Sequence, residues 1–248
     1  MRTTSERKRF IVMLIWIRSA VFFVGMAISS VVFWPITMIA WPMKPILRSR
    51  IISGWAHFVV FWLRLCCGLT HRVEGLENIP DQPGVILCNH QSAWETIALQ
   101  TIFPAQAWVL KKELLKIPFF GWGLAASQPI SIDRSTRMKA LDQLITQGID
   151  RMQQGRWVVV FPEGTRMAPG ETGKFNPGAA MLATKAAAMV LPVAHNAGLF
   201  WKRRGFLKYP GEIVVKIGQP IDTTGKKARE VNTLAREWVE SVSQNLDQ

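Results

Sequence analysis

One set of residues with catalytic potential occupies positions 89–95, with the sequence Asn-His-Gln-Ser-Ala-Trp-Glu, directly after the apolar run Val85–Cys88. A histidine between a strand and a helix is exposed at the rim of a sheet, where α/β proteins commonly bind ligands. Glu95 comes five residues after His90, so a sharp turn would bring its carboxylate to one ring nitrogen of the histidine. That contact fixes the imidazole tautomer and leaves the other nitrogen to take a proton from a hydroxyl. The spacing predicts a general base, His90, oriented by Glu95.

The same segment has a second, structural interpretation. Ser92 and Glu95 have the spacing of a capping box, in which the glutamate bonds the backbone at the start of a helix. Cys88 lies in a run of Val, Ile and Leu, which favours a packed core residue over a reactive thiol. Ser92 lacks the Gly-x-Ser-x-Gly elbow of a nucleophilic serine.

A second set of candidate residues is the segment Phe-Pro-Glu-Gly-Thr-Arg at 161–166, which follows another apolar run. Pro162 ends a strand and Gly164 permits a tight turn. The turn projects three polar side chains: Glu163, Thr165 and Arg166. Because the guanidinium is a planar fork of donors, Arg166 is suited to a phosphate group. An ordinary charged turn is the alternative.

Short apolar, β-rich runs alternate with helical stretches after residue 70. The predicted strands are His71–Val73, Val85–Cys88, Ala107–Leu110, Pro129–Ile132, Trp157–Phe161, Val190–Val193 and Ile213–Ile217. The predicted helices lie near Ser92–Thr101, Thr136–Gln154, Pro177–Ala188 and Lys226–Asn245. Continuous apolar strands are typical of a sheet covered on both faces. We therefore predict an α/β domain at 70–248, with a mixed, largely buried β-sheet flanked by helices.

Residues 1–69 are predicted to be a membrane-anchoring helical segment. The stretch 19–41 holds 23 uncharged residues, enough to cross a bilayer core of about 30 Å. A second apolar run, Ile51–Leu63, is too short to span and fits an interfacial or re-entrant helix. Basic residues flank 19–41 on both sides, and the positive-inside rule places both flanks in the cytoplasm.

A membrane-associated helical hairpin that dips into one leaflet satisfies this rule, with its bend near Gly25 or Pro35. A single anchor is the alternative. A cleaved signal peptide fits poorly, because Arg18 interrupts the apolar core that such a peptide needs.

The amino-acid composition limits the classes of molecule that the protein is expected to bind. The net charge is +13, of which residues 1–70 supply +8, while the remaining residues carry 21 basic and 16 acidic groups. A segment that is both apolar and cationic suits an anionic membrane surface. The smaller excess of +5 in the other residues argues against a nucleic-acid partner. The three cysteines predict no disulfide framework and fit a reducing compartment. No Cys/His cluster has zinc-ligand spacing, so no metal site is predicted.

Four blocks in this order resemble the glycerolipid acyltransferases of the 1-acylglycerol-3-phosphate acyltransferase type. The first is His90 with Glu95, where the family usually has Asp. The second comprises Lys-Lys-Glu-Leu at 111–114, Pro-Phe-Phe-Gly-Trp at 118–122 and Ile-Asp-Arg at 132–134. The third is the segment 161–166. The fourth is Leu-Pro-Val-Ala at 191–194. The resemblance covers roughly residues 70–220.

The resemblance implies transfer of a fatty acyl chain from acyl-CoA or acyl-carrier protein to the sn-2 hydroxyl of lysophosphatidic acid, giving phosphatidic acid in phospholipid biosynthesis. It implies His90 as the base and Glu95 as its partner. The implied substrate-binding residues are Arg166 as the leading phosphate ligand, Lys111 and Arg134 as secondary ligands, and Glu163, Gly164 and Thr165. It implies no resident cofactor, and a catalytic domain on the cytoplasmic side of the inner membrane.

Two other functions fit the same residues. A related acyltransferase could use glycerol 3-phosphate, a lyso-ornithine lipid or another lysophospholipid. A basic membrane-binding protein without catalysis is the second alternative. We predict structural roles for the other histidines: His57, His71 and His195.

Overall fold

The computed structural model describes residues 4–117, 120–133, 136–171 and 173–247. Its strands are β1 (Leu69–Glu74), β2 (Val85–Cys88), β3 (Gln106–Lys111), β4 (Ile130–Ile132), β5 (Trp157–Val160), β6 (Val190–His195) and β7 (Gly211–Ile217). Its α-helices are α1 (Thr4–Ala40), α2 (Pro45–Cys67), α3 (Glu95–Ile102), α4 (Phe120–Ala126), α5 (Arg137–Gln153), α6 (Gly178–Lys185), α7 (Ala197–Phe200) and α8 (Ala228–Leu246). Each predicted strand is present, with its ends within two residues of the prediction.

The strands form one mixed sheet in the order β1-β7-β6-β2-β5-β3-β4. Strands β6, β2, β5, β3 and β4 run parallel to one another. Strand β7 is antiparallel to β6, and β1 runs parallel to β7. The carboxyl ends of the five parallel strands therefore meet at one edge of the sheet.

Both faces of the sheet are buried, which confirms the predicted layering. Strand β2 shows how: Ile86 and Cys88 enter a core shared with α2 and α3, whereas Val85 and Leu87 enter a second core with α5, α6 and α8. Alternate side chains of a strand point to opposite faces, so a strand between two helical layers must be apolar at every position. All four of these residues are completely buried.

The amino-terminal segment differs from the prediction in two respects. Helix α1 continues through Gly25 and Pro35, and the chain reverses at residues 41–44 instead. Gly25 lies against Trp62, whose Nε1 would be 2.2 Å from an added Cβ, so this glycine permits close helix packing and does not form a bend. Helix α2 has 23 residues, longer than the apolar run of 13, because Pro45 starts it and two arginines lie inside its first two turns.

Helices α1 and α2 are both long and apolar enough to cross a membrane by length and composition. One side of α1 packs on α2, where Trp55 Nε1 donates to Ser29 Oγ, and on the segment 201–208, where Lys208 N–H donates to Ser19 Oγ. The opposite side exposes a long row of apolar side chains, including Phe10, Leu14, Ile17, Val21, Val24, Ile28, Val31, Val32 and Ile39. An exposed apolar row of this length indicates membrane association.

Candidate active site

Polar side chains from three parallel strands meet at the carboxyl edge of the sheet. His90 follows β2, the segment 161–166 follows β5, and His195 ends β6. The register of β2 against its two neighbours fixes how these chain ends face one another. The backbone N–H of Met167 donates to the carbonyl of His90 at 2.7 Å, so the turn after β5 is joined directly to the histidine segment.

The side chains of His90 and Glu95 form a close polar pair at the centre of the site. His90 Nδ1 lies 2.7 Å from Glu95 Oε1; the histidine side chain is 14% exposed and the carboxylate is completely buried. Burial opposes ionisation of Glu95, but the nearby His195 and His90 and a backbone donor outweigh it, and the pKa of the carboxyl is lowered. Because an ionised carboxylate oxygen can only accept, this contact places a proton on His90 Nδ1 and leaves Nε2 to take a proton from a substrate.

The capping interpretation of Glu95 is also present in the structure. Oε1 accepts the backbone N–H groups of Gln91 at 3.0 Å and Ser92 at 2.8 Å. Ser92 Oγ accepts the N–H of Trp94 and not that of Glu95, so only half of a capping box forms. One carboxylate oxygen thus closes the turn and holds the histidine.

Phe161 and Glu163 bring the second block against His90. The Phe161 ring stacks on the imidazole with centroids 4.0 Å apart and planes 12° apart. Glu163 Oε1 accepts the backbone N–H of His90 at 3.4 Å. Burial raises the pKa of the Glu163 carboxyl to about 7, with a smaller contribution in the same direction from Glu95 and Glu240.

The turn at 161–166 depends on Gly164. Its φ of +67° is a left-handed conformation that side chains disfavour. The N–H of Gly164 donates to Phe161 O, and Asn176 donates through its backbone and side chain to Pro162 O. At the end of this turn, Thr165 is exposed and Arg166 is half-buried. The Nε atom of Arg166 is buried and has no hydrogen-bond partner within the described residues.

Of the two secondary phosphate candidates, the structure describes only Lys111. Lys111 is exposed at the carboxyl end of β3, on the same edge as His90. Strand β5 lies between β3 and β2, which puts the two backbones about 10 Å apart at the strand spacing of ~4.8 Å. Arg134 lies outside the described residues.

Sequence reasoning predicted a structural role for His195 and did not select Asn89, and the structure joins these two residues. His195 is completely buried, and its Nε2 lies 3.1 Å from the Asn89 carbonyl and 3.8 Å from Glu95 Oε2. The backbone N–H of His195 donates to Asn89 Oδ1, and Asn89 Nδ2 donates to the His195 carbonyl. Burial lowers the pKa of His195. Its Nδ1 accepts the N–H of Ala197 at 3.2 Å and the Asn89 carbonyl can only accept, so the ring donates from Nε2. The pair joins the ends of β2 and β6 directly behind His90.

The remaining candidates have structural surroundings. Cys88 is completely buried, and burial raises the pKa of its thiol well above the ordinary value, so it is not a nucleophile. His71 packs its ring against Trp94, and His57 is exposed on α2. No group of three or more His, Cys, Asp or Glu side chains in the described part of the chain is arranged to hold a metal ion.

Comparison with known proteins shows which family the chain resembles. The sequence profile of the acyltransferase family matches residues 70–196. The 1-acyl-sn-glycerol-3-phosphate acyltransferase of Pseudomonas aeruginosa is 43% identical over 229 residues, covering 90% of this chain and 89% of that protein. An enzyme of the same name from Saccharomyces cerevisiae is 34% identical over 167 residues, covering 65% of this chain and 54% of that protein.

A solved structure also matches the fold. It is the 1-acyl-sn-glycerophosphate acyltransferase PlsC of Thermotoga maritima, with a TM-score of 0.77 and 25% identity over 93% of this chain and 95% of that one. Matches of this extent include the amino-terminal helices as well as the sheet. The chain therefore belongs to the acyltransferase family, in the group that includes the 1-acyl-sn-glycerol-3-phosphate acyltransferases.

Proposed function

We propose that this protein transfers a fatty acyl chain from acyl-CoA or acyl-carrier protein to the sn-2 hydroxyl of lysophosphatidic acid, giving phosphatidic acid. The observation that carries the chemistry is the contact of 2.7 Å between His90 Nδ1 and the buried Glu95 carboxylate. The acceptor is inferred from the names of the relatives, above all the one that is 43% identical over 90% of the chain.

In this proposal the hydroxyl of the acceptor is itself the nucleophile. His90 Nε2 takes the hydroxyl proton as the oxygen attacks the thioester carbonyl, and Glu95 stabilises the imidazolium that forms. When the tetrahedral intermediate collapses, the carbon–sulfur bond breaks and the thiol leaves with the proton from His90. The ring of Phe161, stacked on the imidazole, restricts its rotation during both steps.

The phosphate of the acceptor needs cations near this base. Arg166 is our leading ligand, because its buried Nε has no partner within the described residues and its chain neighbour Met167 bonds the His90 backbone. A planar guanidinium can donate two hydrogen bonds to one phosphate. Lys111 and Arg134 are secondary ligands. Glu163 and Thr165 would contact the glycerol part, and Gly164 would let it approach the backbone closely.

Membrane attachment through α1 and α2 would bring the site to a lipid acceptor. Both helices are long and apolar enough to cross a membrane, and the exposed row on α1 offers apolar area to lipid. We propose the cytoplasmic membrane, with the catalytic edge of the sheet facing the cytoplasm, where acyl thioesters are available. The basic amino-terminal region would face its anionic lipids.

The decisive experiment is to incubate the detergent-purified protein with lysophosphatidic acid and acyl-CoA and to measure phosphatidic acid by mass. Wild type should form the product, and His90→Ala should lose at least about 10²-fold in rate. His57→Ala is the matched control, because His57 is an exposed histidine on α2. Equal rates for His90→Ala and wild type would exclude the proposed mechanism.

The acceptor and the donor are tested in the same assay. Glycerol 3-phosphate, a lyso-ornithine lipid and other lysophospholipids replace lysophosphatidic acid, and acyl-carrier protein replaces acyl-CoA. If product forms only with another acceptor, the proposed acyltransferase chemistry stands and lysophosphatidic acid is the wrong substrate. No product from any acceptor, despite binding to anionic vesicles, would favour a non-catalytic membrane-binding protein.

A further inference from the structure

The carboxyl-terminal helix reaches back to the histidine segment. Residues at every fourth position of α8 form one stripe along its inner face, since side chains at i and i+4 of a helix are neighbours. Val231, Ala235 and Val239 of this stripe are buried in the second core. The next position of α8 in this spacing, Ser243, is polar, and so is Asp247, which follows one residue beyond the end of the helix. The stripe thus changes from apolar to polar where it passes the site.

Ser243 contacts both residues that flank His90 in the sequence. Its Oγ accepts a hydrogen bond from Asn89 Nδ2 at 3.1 Å and from Gln91 Nε2 at 3.4 Å. Asn89 and Gln91 are 4% and 3% exposed, so neither amide can turn to solvent instead. The same hydroxyl therefore restrains the backbone on either side of the histidine.

Asp247 connects the histidine segment to the loop after the Phe161–Arg166 turn. Its Oδ2 accepts Gln91 Nε2 at 2.8 Å and the backbone N–H of Gly170 at 3.0 Å. Gln91 Oε1 accepts the N–H of Gly198 at 3.2 Å, so Gln91 is held from both sides. One carboxylate oxygen thus fixes the spacing between the two segments that carry the candidate catalytic and phosphate-binding residues.

We propose that Ser243 and Asp247 are positioning residues for the reaction: they hold Asn89 and Gln91, and thereby His90, against the segment that carries Arg166. This inference rests on the proposed role of His90 as the general base. The match to the family profile ends at residue 196, so α8 and the residue after it add this support from outside the matched region. A small displacement of a base from its reacting proton is costly in rate, which gives these hydrogen bonds a catalytic consequence.

The test uses Asp247→Ala, Asp247→Asn and Ser243→Ala in the full-length, detergent-purified protein, with lysophosphatidic acid and acyl-CoA. We expect Asp247→Ala to lower kcat about tenfold, with KM for both substrates within about twofold. Asp247→Asn keeps an acceptor oxygen and should recover most of the loss. Ser243→Ala should lower kcat by a smaller factor. Matched controls on exposed positions of α8 are Glu237→Ala and Ser241→Ala, which should equal wild type.

Backbone amide exchange supplies a readout that needs no activity. Residues 88–95 and 166–171 should exchange faster in Asp247→Ala than in wild type or Ser241→Ala. If the variants change the melting temperature but leave kcat and this exchange unaltered, the contacts are structural only and the proposal is overturned. An asparagine variant as slow as the alanine variant would also overturn it.

The two proposals fail in different ways. If wild type is active and the variants at positions 243 and 247 have the same kcat, only the positioning role is contradicted. A wild type that is inactive with every acceptor contradicts the proposed function, and the exchange data then decide whether α8 still restrains the His90 segment.

Discussion

Oε1 of Glu95 lies 2.7 Å from Nδ1 of His90 and also accepts the backbone N–H groups of Gln91 and Ser92. The carboxylate therefore fixes the turn that carries the histidine as well as the ring itself. Orientation and tautomer of the proposed base depend on one buried oxygen atom.

Replacing Glu95 with Gln should lower kcat by at least about 10²-fold, because the amide gives up the charge that stabilises the imidazolium. The backbone contacts can survive, since Gln retains one acceptor oxygen, so the melting temperature should change less than the rate. Glu95→Asp keeps the charge but shortens the side chain by one methylene, and we expect it to lose less activity than Glu95→Gln. The measurement is kcat with melting temperature in parallel.

The control for these variants is Glu113→Gln, at an exposed position after β3. If Glu95→Gln turned over as fast as Glu113→Gln, the carboxylate would have only its capping role.

Arg166→Ala should raise KM for lysophosphatidic acid at least about tenfold, because a hydrogen bond to a charged group contributes roughly 1.5–3 kcal/mol. KM for the acyl thioester should change little. Arg166→Lys keeps the charge without the planar fork, so its KM for lysophosphatidic acid should lie between the values for wild type and Arg166→Ala. The measurement is a pair of KM values for each variant.

Arg203→Ala, in an exposed turn, is the matched control. A monoacylglycerol acceptor, which lacks the phosphate, gives a second check, because its turnover should be insensitive to Arg166→Ala. Equal losses of activity with both acceptors would mean that Arg166 has a structural role and does not bind the phosphate.

Gly164→Ala should destabilise the protein by about 1–2 kcal/mol, the cost of a side chain in the left-handed region. Space is not the obstacle, since an added Cβ would meet only Asn176 Nδ2, at 3.8 Å. The rate should fall as well, because the turn carries Glu163 and Arg166. Thermal unfolding and kcat measure the two effects.

Gly123→Ala is the matched control, because Gly123 is helical and nothing lies within 4 Å of an added Cβ. Alanine there should stabilise α4 by up to about 1 kcal/mol. A loss of stability at Gly123 equal to that at Gly164 would contradict the conformational argument.

Local patterns in the sequence were sufficient to predict the sheet. Each strand is a short apolar run because both faces of the sheet are buried. Such runs, separated by polar segments, mark the strands clearly in the sequence. The contact between His90 and Glu95 was predictable for a similar reason, since only five residues separate them and one turn brings them together.

Contacts between distant parts of the chain were beyond such patterns. Asn89 bonds His195, 106 residues away, and Ser243, 154 residues away, and no local spacing reports such pairs. The length of α2 was underestimated because the apolar run begins only at Ile51, after Arg48 and Arg50. In the fold Arg48 is buried and donates to the carbonyl of Trp41, the residue that follows α1, so a charged side chain is accommodated within α2.

The stability of the protein should depend on pH through Glu163. Burial raises the pKa of its carboxyl from 4.5 to about 7 in the folded state. Between these values the folded state binds a proton that the unfolded state has released, so the free energy of unfolding falls as pH rises from 4.5 through 7. Above pH 7 the ionised carboxylate costs the folded state about 3 kcal/mol.

Glu163→Gln removes this ionisation and keeps the shape of the side chain. The variant should melt at nearly the same temperature as wild type at pH 5 and at a higher temperature at pH 8. Burial lowers the pKa of His71 and His195, and these groups destabilise the folded state towards low pH in both proteins, so the difference between variant and wild type isolates Glu163. The exposed Glu237→Gln should show no such difference. A constant difference between Glu163→Gln and wild type across this range would mean that Glu163 is ionised throughout, and its carboxylate would then need a cationic partner such as Arg166 in the folded enzyme.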